Sequence, residues 1–485
     1  MADSSVDTDV IVVGAGPIGL LLAGELCLGG ARATVLEQLP APSTASRASA
    51  LHARTLEILD QRGLLEALGT VPCDRVGHFG GIRLDFEGHD SRFRGPWKVP
   101  QTRTERLLGD WAAGLGAVIS RGHELVAMRQ TERGVEAEAL GPGGRVLIRA
   151  AYLVGCDGER STVRRLAGIG FPGADATREL LAADVGGIDV PDRRFERHER
   201  GLAVANRRPD GITRVMVHEF GRAPAARGKG PEFAEVAEVW ERVTGEAISA
   251  GEPVWVHAFR NARRLAARYR SGRVLLAGDA AHAQLPVGGQ ALNLGLQDAA
   301  NLGWKLAAQI RGWAPDGLLD SYHEERHDVG RRVLADIEAQ ATLLLGGPEV
   351  EPLRTVVTEL LGHEEVVEHL VRKISGLDIR YPSASDAPLV GRRLPHWELT
   401  TGDGRYSVPE LLRDGRGVLL DAAADPAAGA PAGWAGRVRT VRAATPPGRA
   451  VLIRPDGYVA WADDGRTPLR DALHHWFGAP EQETP

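Results

Sequence analysis

The chain has few cysteines and very few lysines. Cys27, Cys73 and Cys156 are the only three cysteines in 485 residues, and they lie far apart. An odd, scattered set supplies neither a disulfide framework nor a Cys-built zinc site, and it suits the reducing cytoplasm. Lys98, Lys229, Lys305 and Lys373 are four of 58 basic residues, so the positive charge is almost all arginine, as a GC-rich coding sequence would give. There is no excess of positive charge. The formal net charge of −6 argues against nucleic acid or an anionic membrane surface as a partner. Long apolar runs are missing too. The longest, Val10 to Gly24, contains four glycines and a proline, is too short to span a bilayer and follows no basic segment, so neither a signal peptide nor a membrane anchor is expected. Glycine, by contrast, is plentiful at 60 residues without a collagen period, which points to tight turns and close backbone approaches.

At about 150 residues per domain, the length predicts two or three domains. Asp9–Val13 reads as a buried strand, Gly14–Gly19 as a glycine turn, Pro17–Leu28 as a helix and Ala33–Leu36 as a second strand. Helical spacing is also present over Ser49–Gln61 and Thr104–Ala113, and a β-meander over Glu124–Ala150 precedes a strand at Tyr152–Val154. From Phe171 to Tyr269 short apolar strands and one helix, Glu232–Arg242, predict a separate sheet domain. A buried strand at Arg273–Ala277 and helices over Gln290–Ile310 and Leu318–Leu344 then resume the first domain. Tyr381–Pro388 reads as a linker, and Ala422–Gly433 as an Ala/Pro/Gly-rich surface loop inside a tail of strands ending in a helix at Pro468–Phe477.

Gly14-x-Gly16-x-x-Gly19 lies between strand and helix, and Glu37, followed by Gln38, ends the next strand 18 residues after Gly19. The pattern has a mechanical meaning. Gly14 permits the tight turn, Gly16 lets a pyrophosphate approach the backbone, and Gly19 allows close helix–strand packing, while Pro17 opens the helix whose N-terminus faces the phosphates. Glu37 would accept from a ribose hydroxyl. The fingerprint alone does not separate FAD from NAD.

Two later stretches, Cys156-Asp157-Gly158 and Gly278-Asp279-Ala280-Ala281-His282, each follow a strand. With Gln61-Arg62-Gly63, Gly77-His78-Phe79-Gly80-Gly81, Pro286-Val287-Gly288-Gly289-Gln290 and Ser321-Tyr322-His323-x-Glu325-Arg326, the whole chain resembles the class A FAD-dependent aromatic hydroxylases of the para-hydroxybenzoate hydroxylase fold. Its likeness is greatest to the aromatic polyketide hydroxylases. The resemblance implies an α/β and α+β multidomain architecture: a Rossmann-like FAD-binding domain over 1–175 and 270–380, interrupted by a β-sheet substrate domain over 176–269, and a thioredoxin-like C-terminal domain over 389–485. That tail has no cysteine, so it has no thiol chemistry.

The resemblance further implies non-covalent FAD, NADPH or NADH as reductant, O2, and oxygen transfer to a polycyclic aromatic polyketide through a flavin C4a-hydroperoxide in a monomer or homodimer. Hydroxylation is the first expectation, with Baeyer–Villiger oxygenation or epoxidation as alternatives. A flavin-dependent dehydrogenase, or a non-catalytic flavin binder, is the reading from a different class. Asp279 would meet the ribityl chain, Asp157 and Gly158 both FAD and the nicotinamide cofactor, Arg47 the pyrophosphate, and Gln101 the ribose or ribityl region. Gly278 starts the second of these stretches. Pro286, Gly288 and Gly289 lie beside the flavin with Arg47, and Gln290, Ala291, Leu292 and Asn293 open a helix aimed at its N1–C2 edge. The flavin carries the chemistry, so no catalytic side chain is assigned. Where Ala291 stands the family carries glycine; if φ there is positive, alanine costs about 1 kcal/mol. Phe79, Gly80, Gly81, Pro96 and Trp97 are the substrate-side candidates, together with strands within Leu181–His218. The basic run Arg260, Arg263, Arg264, Arg268, Arg270 and Arg273 reads as a solvated, salt-bridged face. No metal site is expected.

Overall fold

The computed structural model describes residues 7–44, 49–86, 90–228, 230–402, 404–422, 432–444 and 447–481. Thr8–Val13 is almost wholly buried and pairs in parallel with Ala33–Glu37 on one side and Gly144–Gly155 on the other. A strand covered on both faces needs a continuous apolar run, which Val10–Val13 provides. The intervening helix, Pro17–Leu28, packs on the helices Gln101–Gly114 and Gln290–Ile310. Gly144–Gly155 is one strand where the sequence suggests two. Its first half pairs antiparallel with Val135–Gly141, and its second half pairs parallel with Thr8–Val13. The sequence reading of Ser49–Gln61 as one helix is corrected. Ala50–Leu51 is a strand paired with Trp97–Lys98, His52 is the N-cap, and the helix spans Ala53–Asp60. The pairing is long-range and overrides local helical periodicity.

The middle sheet has the strand order 193–198, 201–207, 213–219, 179–186, 252–260, antiparallel throughout. Period-two alternation gives it two apolar faces. Leu181, Ala183, Val215 and Val217 pack on Trp240 of the helix Phe233–Thr244. Leu180, Leu202, Met216 and Phe259 point the other way, toward Leu285, Val287 and the long helix Ser321–Leu345.

In the tail, Gly417–Ala422 pairs in parallel with Val438–Ala443 and antiparallel with Ala450–Ile453, which in turn pairs with Val459–Ala462. The helix Leu469–Phe477 covers this sheet. Of the expected surface loop, residues 423–431 lie outside the described residues. The linker reading of Tyr381–Pro388 holds for its lack of regular structure, but its start is anchored: Tyr381 is buried, with its ring 4.2 Å from that of Tyr458.

The turn Arg454–Gly457 fastens the tail to the first domain. Arg454 makes a two-pronged pair with Glu325 at 2.6 and 2.9 Å, and Glu325 also accepts from Lys305 at 2.8 Å. Arg54 donates to the Asp456 carbonyl at 2.5 Å, and Arg62 to the Pro455 carbonyl at 3.0 Å while holding Glu25 at 2.7 and 2.8 Å. All these side chains are buried. Burial alone would raise the Glu325 carboxyl, but Arg454 and Lys305 beside it hold it down to about 2. No helix among the described residues is long and apolar enough to cross a membrane.

Candidate functional site

A cleft of about 1110 Å³ runs from the glycine turn to the edge of the middle sheet. Gly14 has φ +106°, and a Cβ there would stand 2.4 Å from the Cys156 carbonyl oxygen. A Cβ on Gly19 would strike the Gly14 carbonyl oxygen. Gly16 differs: a Cβ there meets no protein atom within 4 Å, and the residue lines the cleft. The protein does not require glycine at that position, so the constraint fits an approaching phosphate. Pro17 is the first residue of the helix. Glu37 receives the Ala15 N–H at 2.8 Å and the Leu39 N–H at 2.9 Å, one on each oxygen, which fixes the carboxylate with lone pairs left for hydroxyls. Gln38 lines the cleft beside it.

Asp157 and Gly158 form the opposite wall. The Asp157 carboxylate accepts from Ser161 Oγ at 2.5 Å and from the Val163 N–H at 3.0 Å, bracing Ser161, the N-cap of the helix Thr162–Leu166, whose Oγ accepts the Arg164 N–H. Gly158 has φ +77°. Arg164, unremarked in the sequence, donates to the Glu159 and Ala280 carbonyls at 2.7 and 2.8 Å, tying the Asp157–Gly158 stretch to the Gly278–Ala280 stretch. Asp279 is exposed on the single turn Gly278–Ala280. The turn hangs on Asp298, which accepts from the Gly278 N–H at 3.1 Å, His282 Nε2 at 2.8 Å and Arg326 Nε at 2.7 Å. Burial alone would raise the Asp298 carboxyl; Arg326 and His282 more than offset this and hold it below its ordinary value.

The loop Pro286–Gly289 closes the far end of the cleft. Gly288 and Gly289 have φ +66° and +67°, and the helix Gln290–Ile310 starts immediately after them. Its first-turn N–H groups have no intrahelical acceptor. Ala291 lies inside this helix with Leu292, and Phe195 is the one non-glycine residue with positive φ among the described residues. The expected backbone penalty at Ala291 is therefore absent, and Ala291→Gly should lower the melting temperature slightly without raising turnover. Asn293 clasps the loop with its side chain, donating to the Gly289 and Ala50 carbonyls at 2.7 and 2.9 Å and accepting the His52 N–H at 2.8 Å.

In the sequence His52 reads as one polar residue in a helical stretch. It completes the clasp: Nε2 lies 2.8 Å from the Gly288 carbonyl oxygen, which can only accept, so Nε2 carries the proton. Burial lowers its pKa to about 4. His78, whose Nδ1 accepts the Gly81 N–H at 3.1 Å, is pushed by burial to about 3. Both values lie below that of free imidazole, so the unfolded chain takes up these protons first as pH falls. The stability from the neutral rings is thus complete above pH about 6.5 and drains away toward about 4 for His52 and about 3 for His78. His52→Gln, which can still donate to Gly288, should flatten the fall of melting temperature over this range. An unchanged slope would refute the assignment.

The hairpin Val76–Phe79/Ile82–Asp85 lies against Val287–Gly289. Gly80 and Gly81 are pressed on Leu343 and Leu344, and Phe79 packs with Leu84, Phe86, Val371 and Ile374. Pro96 is buried, and Trp97 sits edge-on to Phe93 at 5.7 Å, one strand removed from the loop. Gln101 donates to Glu105 at 2.8 Å at the start of its own helix. Arg47 lies outside the described residues. Gln284, missed in the sequence, lines the cleft beside Pro286, with both amide atoms buried and without a partner among the described residues. Of the basic run, Arg263, Arg264 and Arg270 pair with Glu338, Asp175 and Asp320, while Arg260 and Arg264 also line the cleft.

A pyrophosphate-ready turn, a ribose acceptor and a helix start at the far end of one cleft fit a dinucleotide carrying a flavin. Family models agree: residues 7–336 match the FAD binding domain, and residues 387–480 match the aromatic-ring hydroxylase C-terminal domain. The chain belongs to the FAD-dependent aromatic-ring hydroxylases. It is 42% identical to the 12-dehydrotetracycline 5-monooxygenase/anhydrotetracycline 6-monooxygenase of Streptomyces rimosus, over 97% of this chain and 99% of that protein. It is 43% identical to a dialkyldecalin synthase of Streptomyces rugosporus, over 97% and 98%. The crystal structure of CabE, an aromatic hydroxylase from angucycline biosynthesis, superposes with a TM-score of 0.94 at 48% identity, covering 98% of this chain and all of that one. As a member of this family, the chain is a flavoprotein monooxygenase that uses FAD, a reduced nicotinamide and O2.

Proposed function

We propose that this hydroxylase adds one oxygen atom to a polycyclic aromatic polyketide, most simply as a phenolic hydroxyl. The observation that carries this reading is the likeness over nearly the whole chain to the tetracycline-pathway monooxygenase and the angucycline hydroxylase, in a fold whose cleft reaches Ala258 and Phe259 of the middle sheet beside Pro286. An aromatic ring at that end of the cleft suits flat ring systems. Phe195, packed against the core between the middle sheet and the long helix, is held at φ +53°, a conformation costing a bulky residue on the order of 1–3 kcal/mol, beside His78 with ring centroids 4.1 Å apart.

When bound, FAD supplies the hydride acceptance and oxygen transfer. The protein's part is to position and to exclude. Glu37 and the turn at Gly16 hold the adenosine end, and Asp279 and Gln284 stand toward the ribityl end. The first turn of the helix Gln290–Ile310 offers partial positive charge where electron density collects on reduction. His52 and Asn293 fix that turn. We place the reaction in the cytoplasm, where the three free thiols are stable.

The identity to the dialkyldecalin synthase, 43%, is close to the 42% to the tetracycline-pathway enzyme, and a Diels-Alderase superposes with a TM-score of 0.87, so ring formation without oxygen transfer is the second reading. Oxygen uptake separates them. Purified protein should be yellow, and NADPH oxidation should accelerate with tricyclic or tetracyclic phenols, consuming O2. Product NMR then distinguishes hydroxylation from Baeyer–Villiger oxygenation and epoxidation. Product formation without oxygen uptake would overturn the proposal in favour of the second reading.

A further inference from the structure

The strand Glu252–Arg260 pairs, among the described residues, only with Glu179–Gly186, and so forms one edge of the middle sheet. Its residues alternate between faces. Val256 and Ala258 pack on the core around Trp240, which leaves Trp255, His257 and Phe259 together on the opposite face. Edge strands are usually blunted by charge, whereas this one spends three alternate positions on aromatic rings.

The three rings form one cluster. The centroids of Trp255 and His257 lie 5.4 Å apart with planes inclined by 18°, those of His257 and Phe259 4.7 Å apart at 69°, and those of Trp255 and Phe259 6.2 Å apart. Arg214 closes the outer end. Its guanidinium carbon lies 5.1 Å from the indole centroid, and the Asp184 carboxylate holds it with hydrogen bonds of 2.7 and 2.8 Å. Phe259 anchors the inner end in the apolar group that includes Leu285 and Val287.

The sheet core does not account for the cluster. Trp255 belongs to none of the apolar cores among the described residues, and all three rings are only half-buried. His257 and Phe259 line the dinucleotide cleft together with Pro286, so the cluster is continuous with the cofactor site. Stacking and the cation take up ring faces, and edges remain for contact. An aromatic ring is positive at its edge and negative on its face. The electron-rich face of a phenol therefore complements this wall, and a saturated ring does not.

We infer that Trp255, His257 and Phe259 are the wall that selects an aromatic over a saturated substrate ring, receiving the π face of that ring on their edges. This rests on the substrate class proposed above and deepens it: Trp255 separates an aromatic frame from a decalin frame carrying the same substituent.

The experiment is equilibrium dialysis of the full-length, FAD-loaded, oxidised protein against 2-naphthol and against decahydro-2-naphthol, which share one carbon frame and one hydroxyl. Wild type should bind 2-naphthol about tenfold more tightly, a difference of about 1.4 kcal/mol. Trp255→Leu should erase this preference by losing affinity for 2-naphthol alone, and Trp255→Phe, which restores an edge, should recover most of it. Oxygen uptake with NADPH is followed in parallel. Uptake stimulated by 2-naphthol, with the preference unchanged in Trp255→Leu, overturns the inference and leaves the substrate class standing. A preference that depends on Trp255, without oxygen uptake, supports the wall and counts against the proposed oxygenation. Equal binding of the two probes by wild type overturns the inference. Should Trp255→Leu fail to retain FAD, His257→Leu decides: an unchanged preference in that variant overturns the inference.

Discussion

Alanine at Gly14 is expected to weaken FAD binding at least a hundredfold, about 3 kcal/mol, so that the protein purifies colourless. Two effects add. The residue holds φ +106°, which an L side chain resists, and its new Cβ would stand 2.4 Å from the Cys156 carbonyl oxygen. That carbonyl cannot simply retreat, because Cys156 is tied through its own N–H to the Val13 carbonyl at 2.8 Å. The strand end must shift, and the pyrophosphate turn with it. Gly16→Ala is the control that separates fold from ligand. It touches no protein atom, so its flavin-free melting temperature should match wild type while FAD binding is still lost. Gly14→Ala should lower both. Retention of full flavin absorbance by Gly14→Ala would contradict this account of the turn.

The second large effect concerns Glu325. Removing its carboxylate in Glu325→Ala leaves Lys305 buried without its carboxylate partner, while Arg454 keeps Asp456, a loss of about 3 kcal/mol in unfolding free energy. Thermal unfolding followed by tryptophan fluorescence should show the drop. Trp304 and Trp476 lie near Arg454, with ring centres 5.5 and 4.5 Å from its guanidinium carbon, so the signal reports on this region. Glu325→Gln keeps acceptor and shape but not charge and should fall between the two. A change under about 1 kcal/mol for alanine would mean that the pair stabilises no more than a surface contact.

The sequence was most legible where one short-range rule decided the structure. The helices Pro17–Leu28 and Gln290–Ile310 appear with the expected boundaries because glycine turns precede both and continuous apolar faces define their length. The glycine fingerprint and Glu37 were readable for the same reason. His52 was not: its meaning comes from Gly288, more than two hundred residues later, and the strand Ala50–Leu51 exists only because Trp97–Lys98 lies beside it. Asn293, which the family resemblance places at the cofactor, has a side chain that clasps the loop, and that role comes only from the distant Ala50 and His52. The signature strings around Arg62 and Glu325–Arg326 identified the family without revealing their physics. Arg62 and Glu325 grip the tail, and Arg326 supports the Asp298 cluster. Charged residues inside helical stretches look like solvent-facing positions until their partners from distant segments are known.

The turn Arg454–Gly457 also limits how this protein can be recombined. Its socket is assembled from Arg54, Arg62, Asn301 and Glu325, three helices of the catalytic body that read one short segment of the tail. A chimera that exchanged tails between relatives would succeed only if plug and socket travelled together, and expression of residues 1–380 alone should yield aggregates rather than a smaller oxygenase. In evolutionary terms, the tail is free to drift over its outer surface while this turn, together with Arg393 on Glu57 and Leu412 on Arg62, is bound to its recipient.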